Sequence, residues 1–178
     1  MNTDRLTQLH QRRIEHLTWL HADGALRIES RLVDTKGYDT TIGFGRYLPV
    51  GKAVHDMGII VTVEQDWRIR DINLQMFATP FDSCPGVIQA FESLRGESMG
   101  AGWNSLLSER FGGAGGCRHL VDMLRAMATV VFQARHRGGD WMESAINDFT
   151  DSCYAFRSDG EVVPRLLEEV LKRASNEP

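Results

Sequence analysis

Apolar and polar residues alternate along much of the first half of the chain. The clearest case runs from Arg68 to Phe77, where Ile69, Ile72 and Leu74 stand among polar neighbours. Alternation with a period of two is typical of a strand that buries one face in an antiparallel sheet. The β-branched run from Gly58 to Glu64 precedes it and predicts a neighbouring strand.

Two more apolar runs lie upstream, one from about Arg13 to His21 and one from Leu26 to Leu32. The Asp23-Gly24 dipeptide separates them, which favours a hairpin turn. The segment from Tyr38 to Gly51 is rich in Gly and Thr, and we interpret it as a loop with one short strand. The N-terminal half therefore predicts an antiparallel meander sheet.

The hydrophobic period changes after Pro80, and the apolar residues then recur at helical spacing. The pattern predicts a C-terminal set of helices that packs against the sheet in an α+β fold; their approximate ranges are Pro85–Leu94, Trp103–Phe111, Cys117–His136, Trp141–Phe156 and Val163–Ala174. Gly138-Gly139 is expected to end the longest of them. Cys153 falls inside a predicted helix and is expected to be buried.

The length of 178 residues suits a single domain, with frayed ends at residues 1–11 and 175–178. A formal net charge of −4 without a clustered basic face argues against nucleic-acid binding. The polar N-terminus lacks the apolar core of a signal peptide, and no apolar run is long enough to span a membrane. Three cysteines without paired spacing indicate reduced thiols and a cytoplasmic protein.

Cys117 is the first candidate for chemistry because it follows a Gly/Ala run and opens the longest predicted helix. Unpaired N–H groups at a helix N-terminus favour a thiolate, which is a better nucleophile or metal ligand than a thiol. The alternative is a small residue buried at a helix–sheet junction. His119 borders the same pocket if Cys117 is the N-cap, and otherwise the two side chains point to nearly opposite faces. The same dipole keeps an imidazole neutral, as a base or ligand must be.

Cys84 lies between the alternating strand and the next helix, and His55-Asp56 lies just before the Gly58 strand. Thiolate and imidazole ligands at such junctions suit a single zinc or iron ion. We therefore predict a metal site from His55, Cys84 and Cys117. His55, Asp56 and His119 are the candidates for catalytic proton transfer.

The order strand, acidic turn, alternating strand, cysteine, helix and cysteine-bearing helix start resembles the NifU/IscU-type iron–sulfur scaffold fold over roughly residues 50 to 135. That resemblance implies ligands at His55 with Asp56, at Cys84 and at Cys117. The chain departs from that family at three points. His55 takes the place of the first family cysteine, Asp56 lies one residue nearer to it than the family aspartate, and Gly116 takes the place of the histidine beside the third cysteine. Two thiolates in place of three argue against transient iron–sulfur assembly and leave a single-metal site possible.

The chain from Arg13 to Pro164 also resembles a bacterial family, domain-of-unknown-function family 2889. The shared features are an early Asp-Thr, His-x-Met before a strand, Pro followed by Cys, and Gly-Cys-x-His-Leu; here they are Asp34-Thr35, His55-Asp56-Met57, Pro80 to Cys84 and Gly116-Cys117-Arg118-His119-Leu120. The resemblance implies a bacterial source and assigns no activity.

The remaining candidates concern the substrate. Asp34 and Lys36 end a predicted hairpin and can reach a pocket, while Tyr38 and Trp103 can line an aromatic site; a turn and core packing are the respective alternatives. Without a dinucleotide motif, we favour a non-redox small-molecule enzyme, a lyase or hydrolase. The specific hypothesis is a lyase that releases an aldehyde from an aromatic alcohol, by acid–base or metal-assisted chemistry. A metal- or sulfur-handling scaffold using Cys84 and Cys117, and a non-catalytic binding module, are the alternatives. No sequence feature argues against a homo-oligomer.

Overall fold

The computed structural model describes residues 6–136 and 141–176. The chain forms two compact units, with the boundary between Val131 and Phe132. Residues 1–5 and 177–178, which belong to the predicted frayed ends, lie outside the described residues. So do Gly138 and Gly139, the predicted end of the long helix.

The first unit is built on a four-stranded antiparallel sheet with the strand order β1-β2-β5-β6, and a small hairpin of β3 and β4 lies between β2 and β5 in the chain. The strands are β1 His10–Leu20, β2 Leu26–Lys36, β3 Thr40–Ile42, β4 Arg46–Leu48, β5 Ala53–Val63 and β6 Ile69–Ala78. The predicted antiparallel sheet is thus confirmed.

The turn between β1 and β2 contains Gly24, whose φ of +87° lies in the left-handed region that favours glycine. The segment predicted as a loop with one strand contains two, because Gly43 and Gly45 also have positive φ and allow the tight reversal between β3 and β4. Gly51 donates a backbone hydrogen bond to the Lys36 carbonyl at 3.0 Å. This bond closes the base of the small hairpin where β2 ends.

The core face of the sheet follows the alternation in the sequence. Ile28 and Leu32 in β2, and Ile59 and Val61 in β5, are fully buried. The same face of β2 continues to Asp34, which is 1% exposed. An apolar stripe therefore ends in a buried carboxylate at the edge of the core.

The helices of the second half are α1 Ile88–Phe91, flanked by 3₁₀ turns at Cys84–Val87 and Glu92–Leu94, then α2 Trp103–Phe111, α3 Arg118–Arg135, α4 Trp141–Phe149 and α5 Val162–Asn176. Leu120, Met123, Leu124 and Met127 of α3 are fully buried and belong to the core of the first unit. In the second unit α4 and α5 contact each other.

Two sequence predictions about element ends were wrong. His55 and Asp56 lie within β5, because the pairing with β2 continues past Gly58 to Asp34 opposite His55. The predicted helix from Trp141 to Phe156 ends at Phe149, and the chain then turns through Asp151, whose φ is +61°. Cys153 lies in that turn and is exposed rather than buried.

Among the described residues, no helix has the length and apolar character that a membrane crossing requires.

Candidate functional site

Asp34 is the centre of a polar cluster at one end of the sheet. β1 begins, β2 ends and β5 begins at this end, so the antiparallel pairing places Arg12 and His55 on either side of Asp34. All three residues lie in the register of the core face. The start of α3 brings His119 to the same carboxylate.

Arg12 holds Asp34 through two parallel hydrogen bonds. Its Nε–H donates to Oδ1 and its Nη2–H donates to Oδ2, both at 2.8 Å. Such a bidentate pair fixes the plane of the carboxylate as well as its charge. His10 approaches from the more exposed side, with its Nε2 3.4 Å from Oδ1.

Two imidazoles face the same carboxylate oxygen. Nδ1 of His55 lies 3.1 Å from Oδ2 of Asp34, and Nε2 of His119 lies 3.5 Å from it. The two rings are in contact, with their centroids 4.0 Å apart. Together, Asp34, His55 and His119 offer three ligand atoms that all lie within 4.8 Å of one another.

The charges of the cluster follow from burial and from Arg12. Burial raises the pKa of Asp34, but the hydrogen bond and charge of Arg12, with smaller contributions from His55 and His119, outweigh it and leave that pKa below its usual value. Burial lowers the pKa of His55, although Asp34 pulls it upward. Burial, with the charges of His55 and Arg12, lowers the pKa of His119 as well. At neutral pH the centre therefore holds an ionised carboxylate and two neutral imidazoles.

Cys117 is the N-cap of α3, since its carbonyl accepts the hydrogen bond from Val121 N–H at 3.0 Å. Its Sγ lies 3.8 Å from Nδ1 of His119, so the two side chains are on the same side, as the sequence allows for an N-cap. Gly116 is required before it, because a Cβ there would stand 2.4 Å from the Phe111 carbonyl oxygen.

The other predicted site residues are placed elsewhere. Asp56 neighbours His55 in the strand and forms a bidentate pair with Arg31. Successive side chains of a strand point to opposite faces, so Asp56 lies on the face away from Asp34. Cys84 is half-buried in the 3₁₀ turn after β6. Among the described residues, it does not belong to the group of three whose ligand atoms lie close enough to hold a metal ion.

The residues predicted to bind a substrate also separate. Asp34 is the centre of the cluster, and Lys36 ends β2 two residues further on. Tyr38 follows the strand and is 44% exposed. Trp103 is buried, and its indole N–H donates to the Leu124 carbonyl at 3.0 Å, so its contacts are those of a core side chain.

Arg12 and His10 were not identified from the sequence. The sequence nevertheless contained the information. His10 and Arg12 lie four and two residues before Ile14, so in a strand all three side chains point to the same face of the sheet, the face of the core. The same holds for Asp34, which continues the series of alternate, core-facing residues Ile28, Ser30 and Leu32 in β2. A carboxylate in a core-facing register needs a cation or donors beside it.

The fold and the cluster define an α+β protein with a buried carboxylate–histidine centre. A family model described as a protein of unknown function, DUF2889, matches residues 10–133, and the chain belongs to this family. The match spans His10, Arg12, Asp34, His55 and His119, and it confirms the family resemblance seen in the sequence as far as residue 133. No curated protein and no solved structure matches the chain, so the resemblance to iron–sulfur scaffolds has no support there.

Proposed function

We propose that the protein is a small-molecule enzyme of the non-redox lyase or hydrolase type, in which Asp34, His55 and His119 hold one divalent metal ion. The observation that carries this proposal is the convergence of two imidazole nitrogens on one carboxylate oxygen. The proposal replaces the ligand set His55, Cys84 and Cys117 with one that needs no thiolate.

Oδ2 of Asp34 cannot accept hydrogen bonds from Arg12, His55 and His119 together. One lone pair of Oδ2 already accepts from Arg12 at 2.8 Å, which leaves one lone pair for two imidazoles. His55 at 3.1 Å is within hydrogen-bond range, but His119 at 3.5 Å is beyond it. A cation between the three atoms would satisfy them together.

The distances and the donor types agree with a transition-metal site. Metal–ligand bonds of about 2.0–2.1 Å in a tetrahedral site place neighbouring ligand atoms roughly 3.3 Å apart. The separations from Oδ2 of Asp34 to the two imidazole nitrogens, 3.1 and 3.5 Å, lie on either side of that value. Neutral imidazoles and an ionised carboxylate suit zinc, iron or manganese, and three protein ligands leave a position open for a substrate, as in catalytic sites.

Arg12 would then act as a positioning residue. It keeps Asp34 ionised and fixes its plane. Each carboxylate oxygen accepts one hydrogen bond from Arg12, which leaves one lone pair on Oδ2 for the metal. A substrate hydroxyl at the open position would lose its proton more easily, because a bound cation stabilises the oxyanion.

The specific chemistry that we propose is cleavage of an aromatic alcohol. The hydroxyl loses its proton, the adjacent carbon–carbon bond breaks, an aldehyde leaves, and the carbanion formed takes up a proton. The step needs no electron acceptor. Tyr38 is partly exposed and follows β2 just beyond Asp34, so its ring is available to contact an aromatic substrate.

Metal binding can be tested without knowing the substrate. The full chain, stripped with a chelator, is titrated with Zn²⁺ and with Co²⁺, and the Co²⁺ absorption bands report the ligand set. We expect one ion per chain. Asp34→Asn and His119→Gln should weaken binding by more than the roughly 10- to 100-fold that loss of a ligand's hydrogen-bond partner costs. His16→Gln and Asp56→Asn, at a histidine and a carboxylate outside the group, are the matched controls. Equal affinity in all four variants would exclude this centre.

Activity is tested separately on the metal-loaded protein. A panel of aryl-substituted primary alcohols and diols is incubated with it, and the released aldehyde is trapped as a hydrazone. Aldehyde release that is lost in Asp34→Asn and kept in Asp56→Asn supports the lyase. Two imidazoles and one carboxylate are also the ligands of non-haem iron oxygenases, so oxygen consumption by the Fe²⁺ form would contradict the non-redox assignment.

A further inference from the structure

The outer edge of β1 is a long, regular strand edge. β1 pairs with β2 over eleven residues without a bulge, and within the described part of the chain its other side has no neighbouring strand. In an antiparallel ladder every second residue of an edge strand points its N–H and C=O outward. β1 contains neither proline nor lysine, which are among the residues that natural proteins use to block edge pairing.

Exposed apolar side chains are concentrated on this strand and on the segment that leads into it. They are Leu6, Leu9, Ile14, Leu17, Trp19 and Leu20, which are between 36% and 78% exposed. A long edge with exposed apolar residues favours pairing with another strand.

The charges on β1 point to a second copy of the same strand. Arg13 and Glu15 lie on one face of the strand, and neither has an ion-pair partner among residues 6–136 and 141–176; Arg31, directly opposite Glu15 on β2, is engaged by Asp56. In a two-fold antiparallel pair with Ile14 at the axis, Arg13 of each copy lies opposite Glu15 of the other. The two copies would then form two equivalent cross-strand ion pairs.

The neighbouring registers are unfavourable. An axis at Glu15 places Glu15 opposite itself, and an axis at Arg13 places Arg13 opposite itself. Like charges directly opposite each other destabilise an antiparallel pair. The axis at Ile14 also brings Leu9 opposite Trp19 on the same face, so that exposed apolar side chains cover each other.

We propose that two copies of the chain pair antiparallel along β1, about a two-fold axis at Ile14, and join their four-stranded sheets into one continuous sheet. The contact is isologous, as in most homodimers. It goes beyond the proposed enzyme function, and it involves none of the three proposed metal ligands.

The oligomeric state of the full chain is measured by sedimentation equilibrium over a wide range of protein concentration. We expect a dimer whose dissociation constant rises at least tenfold in Arg13→Glu and in Glu15→Arg, since each change places like charges opposite each other. The double variant Arg13→Glu/Glu15→Arg should restore the dimer. Circular dichroism checks that each variant is folded.

Phe77→Lys is the matched control, because Phe77 is an exposed aromatic residue on β6 at the other edge of the sheet. It should leave the dimer unchanged. A protein that is monomeric at every concentration would overturn the proposal. A dimer that tolerates both single charge reversals, or that the double variant fails to restore, would overturn it as well.

Discussion

The core face of the sheet has two regions with opposite chemistry. Its middle, around Ile28, Ile59 and Ile72, is apolar and fully buried. Its end holds the buried carboxylate of Asp34 together with an arginine and two imidazoles that are partly exposed. Burying apolar groups stabilises a fold, whereas burying polar groups costs free energy unless each one is partnered. The middle therefore maintains the fold, whereas the end contains the groups that we propose bind a metal ion.

The largest expected effect is a loss of stability on substitution in the apolar middle of the core face. Ile59→Ala removes a fully buried side chain and leaves a cavity, so we expect the free energy of unfolding to fall by about 2–5 kcal/mol. Urea denaturation measures this loss. Metal affinity in native buffer should stay unchanged, because Ile59 is not a proposed ligand and lies four residues beyond His55 in β5. A large loss of affinity in the folded variant would show that the two regions are not separable.

The next largest effect is expected at the Asp34 end of the core face. Asp34→Leu removes the bidentate partner of Arg12 and leaves it the 3.9 Å contact with Asp122. Since Arg12 is partly exposed, we expect the free energy of unfolding to fall by about 1–3 kcal/mol. The double variant Arg12→Met/Asp34→Leu should regain most of that stability, because apolar replacement of both partners of a buried pair is often neutral or stabilising. Neither variant should bind metal. If the double variant were as unstable as the single one in urea, the pair would be stabilising the fold and the comparison would fail.

A smaller effect is expected from pH. Burial lowers the pKa of His16 in the folded protein, and its Nδ1 is buried without a hydrogen-bond partner among the described residues. The unfolded chain, with a histidine pKa of about 6.5, therefore takes up a proton first as pH falls. The contribution of this group to stability is complete above that pH and declines as the pH falls towards the lower pKa of the folded protein. The pKa values of His55 and His119 are also lowered, so these residues contribute in the same direction. His16→Leu should make the decline of the urea midpoint between pH 7.5 and 5.5 shallower. An unchanged decline would show that His16 does not contribute.

The sequence predicts the sheet better than the site for a physical reason. Alternation and turn residues are local, so β1, β2, β5 and β6 could be identified from neighbouring residues alone. Asp34, His55 and His119 are far apart in the chain, and only strand register and the direction of α3 bring them together. The prediction relied on Cys84 and Cys117 because thiols are conspicuous ligands. It gave less weight to the strand parity that places Asp34 and His55 on the same face.

Element ends were predicted less well, with consequences for the site. Gly58 suggested that a strand begins there, but pairing with β2 outweighs the low strand preference of one glycine. The strand therefore includes His55 and Asp56 and sends them to opposite faces. The earlier start of β5 therefore separates His55 from Asp56, which were predicted to act together, and places His55 beside Asp34.

The smallest expected effect distinguishes the two ligand sets. Cys84→Ala and Cys117→Ala should each leave one Co²⁺ ion per chain, with no change in the wavelengths of its absorption bands, because neither sulfur belongs to the Asp34 group. Cys117 provides the more sensitive case, since its Sγ lies 3.8 Å from Nδ1 of His119. Removing it should change the affinity only modestly, through the orientation of that ring. A strong sulfur-to-cobalt charge-transfer band in the wild type that disappears in either variant would restore the thiolate site and refute the carboxylate–histidine centre.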